Sequence, residues 1–417
     1  MSRQTFVIVG ASLAGAKAAE ALRNYGFDGR VVLIGEEPQR PYLRPPLSKD
    51  YLRGDANLDA VYVHPESFYE ANDIELRTAT AVTGLRLSSS EVLCGDEDSV
   101  RFDRLLLTTG ARPRQLPVPG AQLEGIHQLR TLADADRLRE RLGRGGAVVV
   151  VGAGWIGTEV AASAREAGLD VTVIDPGDVP LGRVLGPRVG AIYRDIHVDH
   201  GVTLLPGARV ERFEGNTTVE AVRTADGRSI GCDFVVVGVG AEPRTEVVDG
   251  TGIEVANGIV TDEFLQTNVP GVFAAGDIAN ARHPVYGQLR VEHWANALNQ
   301  APAAAHNMLG AANKDDRVLD HPIPYERVPY FYSDQYDVGM EYSGHATDWD
   351  DVVLRGDVEG RRFIAFWLKE RRVLAAMNVN IWDVTDQLQA LIRSRLRVDP
   401  VRLADPDIPL TELAPPL

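Results

Sequence analysis

Two glycine-rich stretches have the residue types and spacing that bind phosphate. The later one, Gly152-Ala153-Gly154-Trp155-Ile156-Gly157, is a complete G-x-G-x-x-G pattern, while the earlier one, Gly10-Ala11-Ser12-Leu13-Ala14-Gly15, has serine at the middle glycine position. Glycines in this pattern permit a tight turn and let a pyrophosphate approach the N-terminus of the next helix. The phosphate-binding candidates are Gly10, Ser12, Ala14 and Gly15 in the first stretch and Gly152, Gly154, Ile156 and Gly157 in the second.

An acidic residue ends the strand predicted after each stretch, Glu36 after the first and Asp175 after the second. A carboxylate at this place accepts a hydrogen bond from a ribose 2′-hydroxyl and repels a 2′-phosphate, so Asp175 favours NADH over NADPH. Two dinucleotide sites in one chain can bring a nicotinamide against a flavin. Two alternatives stay open: a glycine turn in an ordinary parallel-sheet domain, and a helix N-cap at Ser12.

The elements that must position these residues form two strand–helix–strand units. The first unit has a strand over 6–9, a helix over 14–23 and a strand over 30–36. The second has a strand over 147–151, a helix over 156–167 and a strand over 170–175. Two further apolar runs, over 105–110 and 234–240, end in glycine, as buried parallel strands do before a turn. A third run, over 271–277, leads to a helix over 292–309. The pattern predicts an α/β fold with Rossmann-like domains.

The chain changes character after a polar stretch over 313–316, which is typical of a linker. Aromatic and alternating segments near 330–342, 352–355, 363–368 and 373–379 predict antiparallel strands. An amphipathic helix is predicted over 384–396, and a proline-rich extended tail over 400–417. This part therefore predicts a separate α+β domain.

Composition excludes several classes of function. The net charge of −16 opposes binding to nucleic acid or an anionic membrane. Only Cys94 and Cys232 are present, without zinc spacing, which suits a reducing compartment. His197 and His200 share a helix face, but without a third ligand we interpret them as surface residues rather than a metal site. We find no leader-like or membrane-spanning run and expect a cytoplasmic protein.

Several motifs together resemble the FAD-dependent ferredoxin reductases that serve bacterial oxygenases, within the glutathione-reductase-type superfamily. The motifs are the first glycine loop, the run Arg40-Pro41-Tyr42-Leu43-Arg44-Pro45-Pro46-Leu47-Ser48-Lys49, the segments 108–113 and 130–132, the second glycine loop with Glu159, and Ala274-Ala275-Gly276-Asp277. The resemblance covers nearly the whole chain, and the R-P-P-L-S-K run is its most specific part. Departures from the family pattern are Ser12 and Tyr332, the latter where relatives often have tryptophan beside the flavin.

The resemblance implies where two cofactors, FAD and NAD, would bind. The first loop and Glu36 would bind the adenosine half of FAD, and Asp277 its ribityl chain. Further FAD contacts are implied at Arg44, Lys49, Val82, Gly110, Arg130, Gly276 and Trp294. The second loop, Glu159, Asp175, Arg183, Gly238 and Gly240 would form the NAD site.

The resemblance also implies a fold of two Rossmann-like domains plus an α+β C-terminal domain. We expect the FAD-binding domain over 1–112 and 245–316, split by the NAD-binding domain over 113–244, and the C-terminal domain over 317–417.

Lys49 is a candidate catalytic group on physical grounds as well. Pro45 and Pro46 stiffen the backbone before it, and an ammonium would stabilise the negative charge of a reduced flavin. Glu159, on the first turn of the NAD-domain helix, could pair with Lys49 and orient it. The alternative is a solvated lysine and a glutamate that interacts with the helix dipole.

The electron acceptor must be external. Disulfide reductases of this superfamily have a C-x-x-x-x-C pair in the first domain, whereas this chain has no cysteine before Cys94. The resemblance implies that electrons pass from NADH through FAD to a [2Fe–2S] ferredoxin that feeds a cytochrome P450 or Rieske-type oxygenase. Rubredoxin reductase, NADH oxidase and an apoptosis-inducing-factor-like redox-signalling flavoprotein are the alternatives. We expect a monomer or weak homodimer.

Docking of an acidic ferredoxin needs a local basic patch on this acidic chain. The candidates are Arg361, Arg362, Lys369, Arg371, Arg372, Arg393, Arg395 and Arg397. A solvated charged face is the alternative.

Overall fold

The computed structural model describes residues 3–95, 98–310 and 321–413. The chain divides into two compact units. Unit 1 comprises Met1–Leu43, Leu58–Arg112 and Ala241–Pro329, and unit 2 comprises Arg44–Asn57, Pro113–Gly240 and Tyr330–Leu417. The expected linker over 313–316 and the domain boundary after residue 316 lie outside the described residues. The three-domain division with its boundaries stays a prediction.

The strands of the described residues, numbered in chain order, are β1 (Thr5–Val9), β2 (Arg30–Ile34), β3 (Ile74–Arg77), β4 (Val82–Arg86), β5 (Glu91–Cys94), β6 (Asp98–Arg101), β7 (Arg104–Leu107), β8 (Ala111–Pro113), β9 (Ile126–His127), β10 (Ala147–Val151), β11 (Asp170–Asp175), β12 (Thr203–Pro206), β13 (Val210–Gly215), β14 (Val219–Thr224), β15 (Ser229–Gly231), β16 (Phe234–Val237), β17 (Ala241–Pro243), β18 (Ile259–Thr261), β19 (Val272–Ala274), β20 (Ala279–His283), β21 (Gly287–Arg290), β22 (Tyr330–Gln335), β23 (Val338–Gly344), β24 (Asp351–Asp357), β25 (Arg362–Lys369) and β26 (Arg372–Val379). The helices are α1 (Leu13–Asn24), α2 (Asp50–Arg53), α3 (Ser67–Ala71), α4 (Leu132–Leu142), α5 (Trp155–Glu166), α6 (Gly182–Asp199), α7 (Trp294–Gly310), α8 (Thr385–Ser394) and α9 (Pro400–Ala404).

Unit 1 is built on a parallel sheet with the strand order β19-β7-β1-β2-β3. Alternate residues of the central strand β1 enter two different cores, as the two-residue period of a strand requires. Phe6 and Ile8 pack in the core that includes α1 and α7, and Val7 and Val9 pack with residues of β5 and β6. Burial on both faces explains why the run over 6–9 is continuously apolar.

Unit 2 contains a second parallel sheet, with the order β12-β11-β10-β16-β9. It also contains an antiparallel sheet with the order β22-β23-β26-β25-β24. The antiparallel sheet packs against α6, where Trp367 is fully buried and donates from Nε1 to the Leu185 carbonyl at 3.1 Å. The expected fold of two Rossmann-like domains plus an α+β C-terminal part is confirmed.

The segment after residue 400 is not the extended tail that we expected. Pro400 occupies the first turn of α9, where a missing N–H costs nothing, and the Asp399 side chain accepts from the Val401 N–H at 3.0 Å. The buried Arg355 then fixes the following chain by donating to the carbonyls of Asp405 and Ile408, both at 2.6 Å. Residues 414–417 lie outside the described residues.

Within the described residues, every helix is too short or too polar to cross a bilayer.

Candidate functional site

The first glycine loop of unit 1 joins the end of β1 to the start of α1. Gly10 has a φ of +118°, and a Cβ placed on it would lie 2.2 Å from the Thr108 carbonyl oxygen. A Cβ on Gly15 would lie 2.1 Å from the Gly10 carbonyl oxygen. The helix therefore approaches the strand too closely for any larger residue, as the dinucleotide pattern requires.

Ser12 stands at the N-cap position of α1, but its side chain makes no capping hydrogen bond. Its backbone is extended, with φ −121° and ψ −160°. The structure therefore does not support the N-cap alternative, since the hydroxyl satisfies none of the first N–H groups of α1. Those N–H groups fit an anionic pyrophosphate. Ala14, two residues further, is buried.

Glu36 lies just past β2 and is about half exposed, and Arg244 forms an ion pair with it at 2.6 Å. The Arg244 carbonyl in turn accepts from the Thr109 hydroxyl at 2.8 Å. Sequence reasoning missed Arg244, because nothing in the local pattern links it to a glutamate some 200 residues earlier.

Asp277 lies in a single 3₁₀ turn, Gly276–Ile278, directly after β19. Gly276 makes the turn possible with a φ of +79°, and its N–H donates to Gln300 Oε1 at 2.9 Å. Arg290 Nη1 donates to the Asp277 carbonyl at 3.0 Å. The turn is thus fixed from two sides, by Gln300 and Arg290, neither of which the sequence had indicated.

The remaining unit 1 candidates are partly buried at the ends of elements. Val82 begins β4, Gly110 follows β7 with a φ of +70°, and Trp294 begins α7. Three further expected FAD contacts, Arg44, Lys49 and Arg130, belong to unit 2.

The second glycine loop, in unit 2, joins β10 to α5. A Cβ on Gly152 would lie 2.3 Å from the Gly238 carbonyl oxygen, and one on Gly157 would lie 1.9 Å from the Gly152 carbonyl oxygen. A Cβ on Gly154 would meet nothing within 4 Å. The outer glycines are therefore required by the fold, while the middle one faces open space, as the approach of a pyrophosphate requires. These residues fit the expected dinucleotide.

Asp175 ends β11 and accepts two backbone hydrogen bonds, from Ala153 N–H and from Gly177 N–H, both at 2.7 Å. Each carboxylate oxygen keeps a second lone pair for a ribose hydroxyl. Around this loop Ile156 and Arg183 are exposed, and so is Gly240, with a φ of +101°.

Lys49 and Glu159 form a buried ion pair, with Lys49 Nζ 2.7 Å from Glu159 Oε2. The lysine is 6% exposed and the glutamate 4%. The solvated-lysine alternative is therefore wrong, because both charged groups are removed from water. The structure confirms the pairing itself, and its role in catalysis stays a prediction.

Two serine hydroxyl groups also donate hydrogen bonds to the Glu159 carboxylate. Ser48 Oγ donates to Oε2 at 2.5 Å and Ser333 Oγ donates to Oε1 at 2.7 Å. A buried ion pair is tolerated where its remaining lone pairs are hydrogen-bonded in this way. The sequence reasoning noted neither serine as a functional residue, although Ser48 lies in the R-P-P-L-S-K run.

Two further expected residues lie in the same unit. The Arg44 guanidinium donates to the Arg130 carbonyl, which joins the R-P-P-L-S-K run to the start of α4. Tyr332, the departure from the family pattern, presents its ring 5.6 Å from Lys49 Nζ.

His197 does not lie on the surface as we expected, whereas the His200 side chain is 32% exposed. His197 is fully buried, with Nε2 3.0 Å from Gln335 Oε1 and Nδ1 3.1 Å from the Tyr336 hydroxyl. His200 stacks on the Tyr336 ring with centroids 3.7 Å apart. The surface interpretation of His197 was wrong because α6 is covered on that face by β22, which sequence periodicity alone could not show. In the described part of the chain no cluster of His, Cys, Asp or Glu could bind a metal.

The expected basic patch is partly neutralised by neighbouring acidic residues. Arg361 pairs with Asp199. Arg372 Nη1 lies 3.2 Å from Glu370 Oε2, and Arg371 Nη2 lies 3.8 Å from Asp399 Oδ1.

Nearly the whole chain matches known families and relatives. Residues 4–301 match the family described as pyridine nucleotide-disulphide oxidoreductase, and residues 330–414 match the reductase C-terminal family. The chain is 37% identical to putidaredoxin reductase of Pseudomonas putida, over 98% of this chain and 96% of that protein. It is 38% identical to the ferredoxin–NAD(+) reductase component of the anthranilate 1,2-dioxygenase system of Burkholderia cepacia, over 98% of this chain and 99% of that protein.

A solved structure agrees with these relatives. Putidaredoxin reductase in its covalent complex with putidaredoxin superposes with a TM-score of 0.92 at 36% identity, covering 99% of this chain and 98% of that one. The resemblance to flavin-dependent ferredoxin reductases is thereby confirmed, as are the enzyme class and the two cofactors, FAD and NAD. The chain belongs to the pyridine nucleotide-disulphide oxidoreductase family and also has a reductase C-terminal domain.

Proposed function

We propose that the chain passes electrons from NADH, through FAD, to a [2Fe–2S] ferredoxin that supplies a cytochrome P450 or Rieske-type oxygenase. The full-length likeness to putidaredoxin reductase, whose solved structure is a complex with putidaredoxin, is the observation that most supports this function. FAD, when bound, accepts a hydride from NADH and releases electrons one at a time.

The state of the two thiols supports an external acceptor. Cys94 lies in unit 1 and Cys232 in unit 2, and both are free. Burial raises the pKa of Cys232 to about 12 and also raises the pKa of Cys94, so neither is a thiolate at neutral pH. Because thiolates are the reactive form, a thiol–disulfide path through this chain is disfavoured.

The residues of each unit have distinct tasks in this proposal. In unit 1 the Gly10 loop, Glu36 and Asp277 bind the adenosine and ribityl parts of FAD. In unit 2 the Gly152 loop and Asp175 bind NADH. Lys49, oriented by Glu159, presents a positive charge that stabilises the reduced cofactor.

Docking of the ferredoxin is proposed at the basic residues of the C-terminal part, around Arg371 and Arg372. Both arginines keep exposed guanidinium groups, with side-chain exposures of 59% and 43%. Reversing both charges should weaken ferredoxin reduction most at low ionic strength, where electrostatic steering is least screened. Reduction of the flavin by NADH is the internal control, since that step needs no ferredoxin. An unchanged salt dependence of ferredoxin reduction would place the docking face elsewhere.

We further propose a cytoplasmic location and a monomer or weak homodimer. The two free cysteines suit a reducing compartment, where disulfides do not persist. Sedimentation of the oxidised and the NADH-reduced protein tests the oligomeric state.

Incubation of the FAD-loaded protein with NADH and a panel of acceptors tests the function. We expect the visible absorbance of [2Fe–2S] ferredoxins to bleach rapidly on addition of NADH. Faster reduction of rubredoxin, or of oxygen, would assign one of the enzymatic alternatives. Slow NADH oxidation with every acceptor, together with dimerisation on reduction, would assign the redox-signalling class.

A further inference from the structure

A continuous series of buried hydrogen bonds leads away from the Lys49–Glu159 pair. Ser333 Oγ lies 2.7 Å from Glu159 Oε1, and Gln335 Nε2 lies 3.2 Å from Ser333 Oγ. Gln335 Oε1 lies 3.0 Å from His197 Nε2. Ser333, Gln335 and His197 are each no more than 1% exposed. Three polar side chains with this degree of burial form one connected path to the Glu159 carboxylate.

The chemistry of the groups fixes the direction of each hydrogen bond. A carboxylate only accepts, so Ser333 must donate to Glu159, and the Gln335 amide then donates to Ser333. The Gln335 carbonyl only accepts, so His197 carries its proton on Nε2. His197 Nδ1 is then the acceptor for the Tyr336 hydroxyl, 3.1 Å away. Every donor in the series therefore points towards Glu159.

The neutral state of His197 agrees with this arrangement. Burial lowers the pKa of His197 to about 4, so at neutral pH the ring has one donor and one acceptor nitrogen. A protonated ring would still donate from Nε2 to Gln335, but its Nδ1 would donate to the Tyr336 hydroxyl, so that only this link would reverse.

The series joins three elements of unit 2 that are distant in sequence. Glu159 lies on α5, and His197 lies on α6. Ser333 and Gln335 are alternate residues of β22, so both side chains project from one face of that strand. β22 thereby connects α5 and α6 through hydrogen bonds between buried polar side chains, although apolar side chains would be enough for packing alone.

We propose that Ser333, Gln335 and His197 are positioning residues, which fix the Glu159 carboxylate and through it the Lys49 ammonium, and so tune the redox behaviour of the flavin. The inference rests on the proposed function, in which Lys49 acts on FAD. The series orients groups and does not conduct protons, because an amide such as Gln335 passes on a hydrogen-bond direction without exchanging its protons readily.

Substitution of Ser333 and His197 in the FAD-loaded enzyme tests the proposal. We expect Ser333→Ala and His197→Leu to lower the flavin midpoint potential and to slow flavin reduction by NADH about twofold to tenfold, the change expected from one lost hydrogen bond. His197→Gln, whose amide can still donate to Gln335, should restore much of the rate. His200→Gln is the matched control, since His200 Nδ1 bonds to the Ile196 carbonyl and not to Gln335 or Ser333.

A Lys49→Met background separates positioning from structural damage. If Ser333 acts through Lys49, Ser333→Ala should leave the midpoint potential unchanged once Lys49 is absent. A persistent shift in that background would overturn the proposal, and so would unchanged potentials in the Ser333 and His197 variants when Lys49→Met alone lowers the potential.

Failure of the underlying function gives a different result. If Lys49→Met leaves both the potential and the reduction rate unchanged, the role of Lys49 and this inference fall together. Ferredoxin reduction by the unsubstituted enzyme is measured separately and decides the proposed function.

Discussion

Breaking the Lys49–Glu159 pair from one side should be strongly destabilising. The charged atoms are 2.7 Å apart, and the two side chains are only 8% and 5% exposed. Lys49→Met leaves Glu159 with two serine hydroxyls in place of its cationic partner, and Glu159→Gln leaves the ammonium without the carboxylate that lies 2.7 Å away. Each single change removes the partner of a buried charge, at a cost of about 3–5 kcal/mol in the free energy of unfolding.

The double variant Lys49→Met with Glu159→Gln should lose less than the sum of the single variants, because neither charge then remains. Its glutamine can still accept from Ser48 or Ser333. We expect a coupling energy of about 2 kcal/mol, towards the upper end of values for residues in contact. The unsubstituted protein, the two single variants and the double variant are each unfolded in urea at one pH with FAD saturating. The four free energies of unfolding give the coupling energy.

A second lysine–glutamate pair in this chain is a matched control. Lys17 Nζ lies 2.6 Å from Glu20 Oε2 on α1, but its side chains are 24% and 27% exposed. The same cycle at this pair should give a coupling of about 0.5 kcal/mol or less. Additive single effects at Lys49 and Glu159, or equal coupling at both pairs, would refute the argument from burial.

Three further predictions concern cofactor binding and the C-terminal segment. With Asp175 at the end of β11, the kcat/KM for NADH should greatly exceed that for NADPH, and comparable values would remove Asp175 from the ribose site. Asp277→Ala should release FAD on dialysis, since a lost hydrogen bond from a ribityl hydroxyl to a carboxylate weakens affinity about tenfold or more, and full retention of the yellow colour would make Asp277 purely structural. Arg355→Met should lower stability by about 2–3 kcal/mol and increase hydrogen exchange over residues 400–413, because the carbonyls of Asp405 and Ile408 lose a charged donor; unchanged exchange there would show that α9 is fixed by other contacts.

The parallel strands and their glycine turns could be predicted from sequence because local signals determine them. The run over 147–151 is uniformly apolar, and β10 occupies those residues. The loop glycines follow from sterics, since a Cβ on Gly157 would clash with the Gly152 backbone. The constraint on Gly157 acts within one strand–turn–helix unit, so the local sequence displays it, whereas Gly152 also meets the Gly238 carbonyl of a distant segment.

Contacts between distant segments could not be predicted in the same way. The pairing of Lys49 with Glu159 followed only from charge and the family pattern, and the two serines that complete the site went unnoticed. His197 was misplaced because its partners, Gln335 at the end of β22 and Tyr336 in the turn that follows, lie more than 130 residues later. Arg355 likewise has no local signal, since its acceptors are the main-chain carbonyls of a segment some 50 residues away.

Anaerobic titration of the FAD-loaded enzyme and a [2Fe–2S] ferredoxin with NADH tests the central claim most directly. A hydride supplies two electrons and each ferredoxin takes one, so the account predicts that one NADH reduces two ferredoxins, with the flavin reoxidised between additions. A flavin that NADH reduces but that stays reduced in the presence of every oxidised ferredoxin would contradict it.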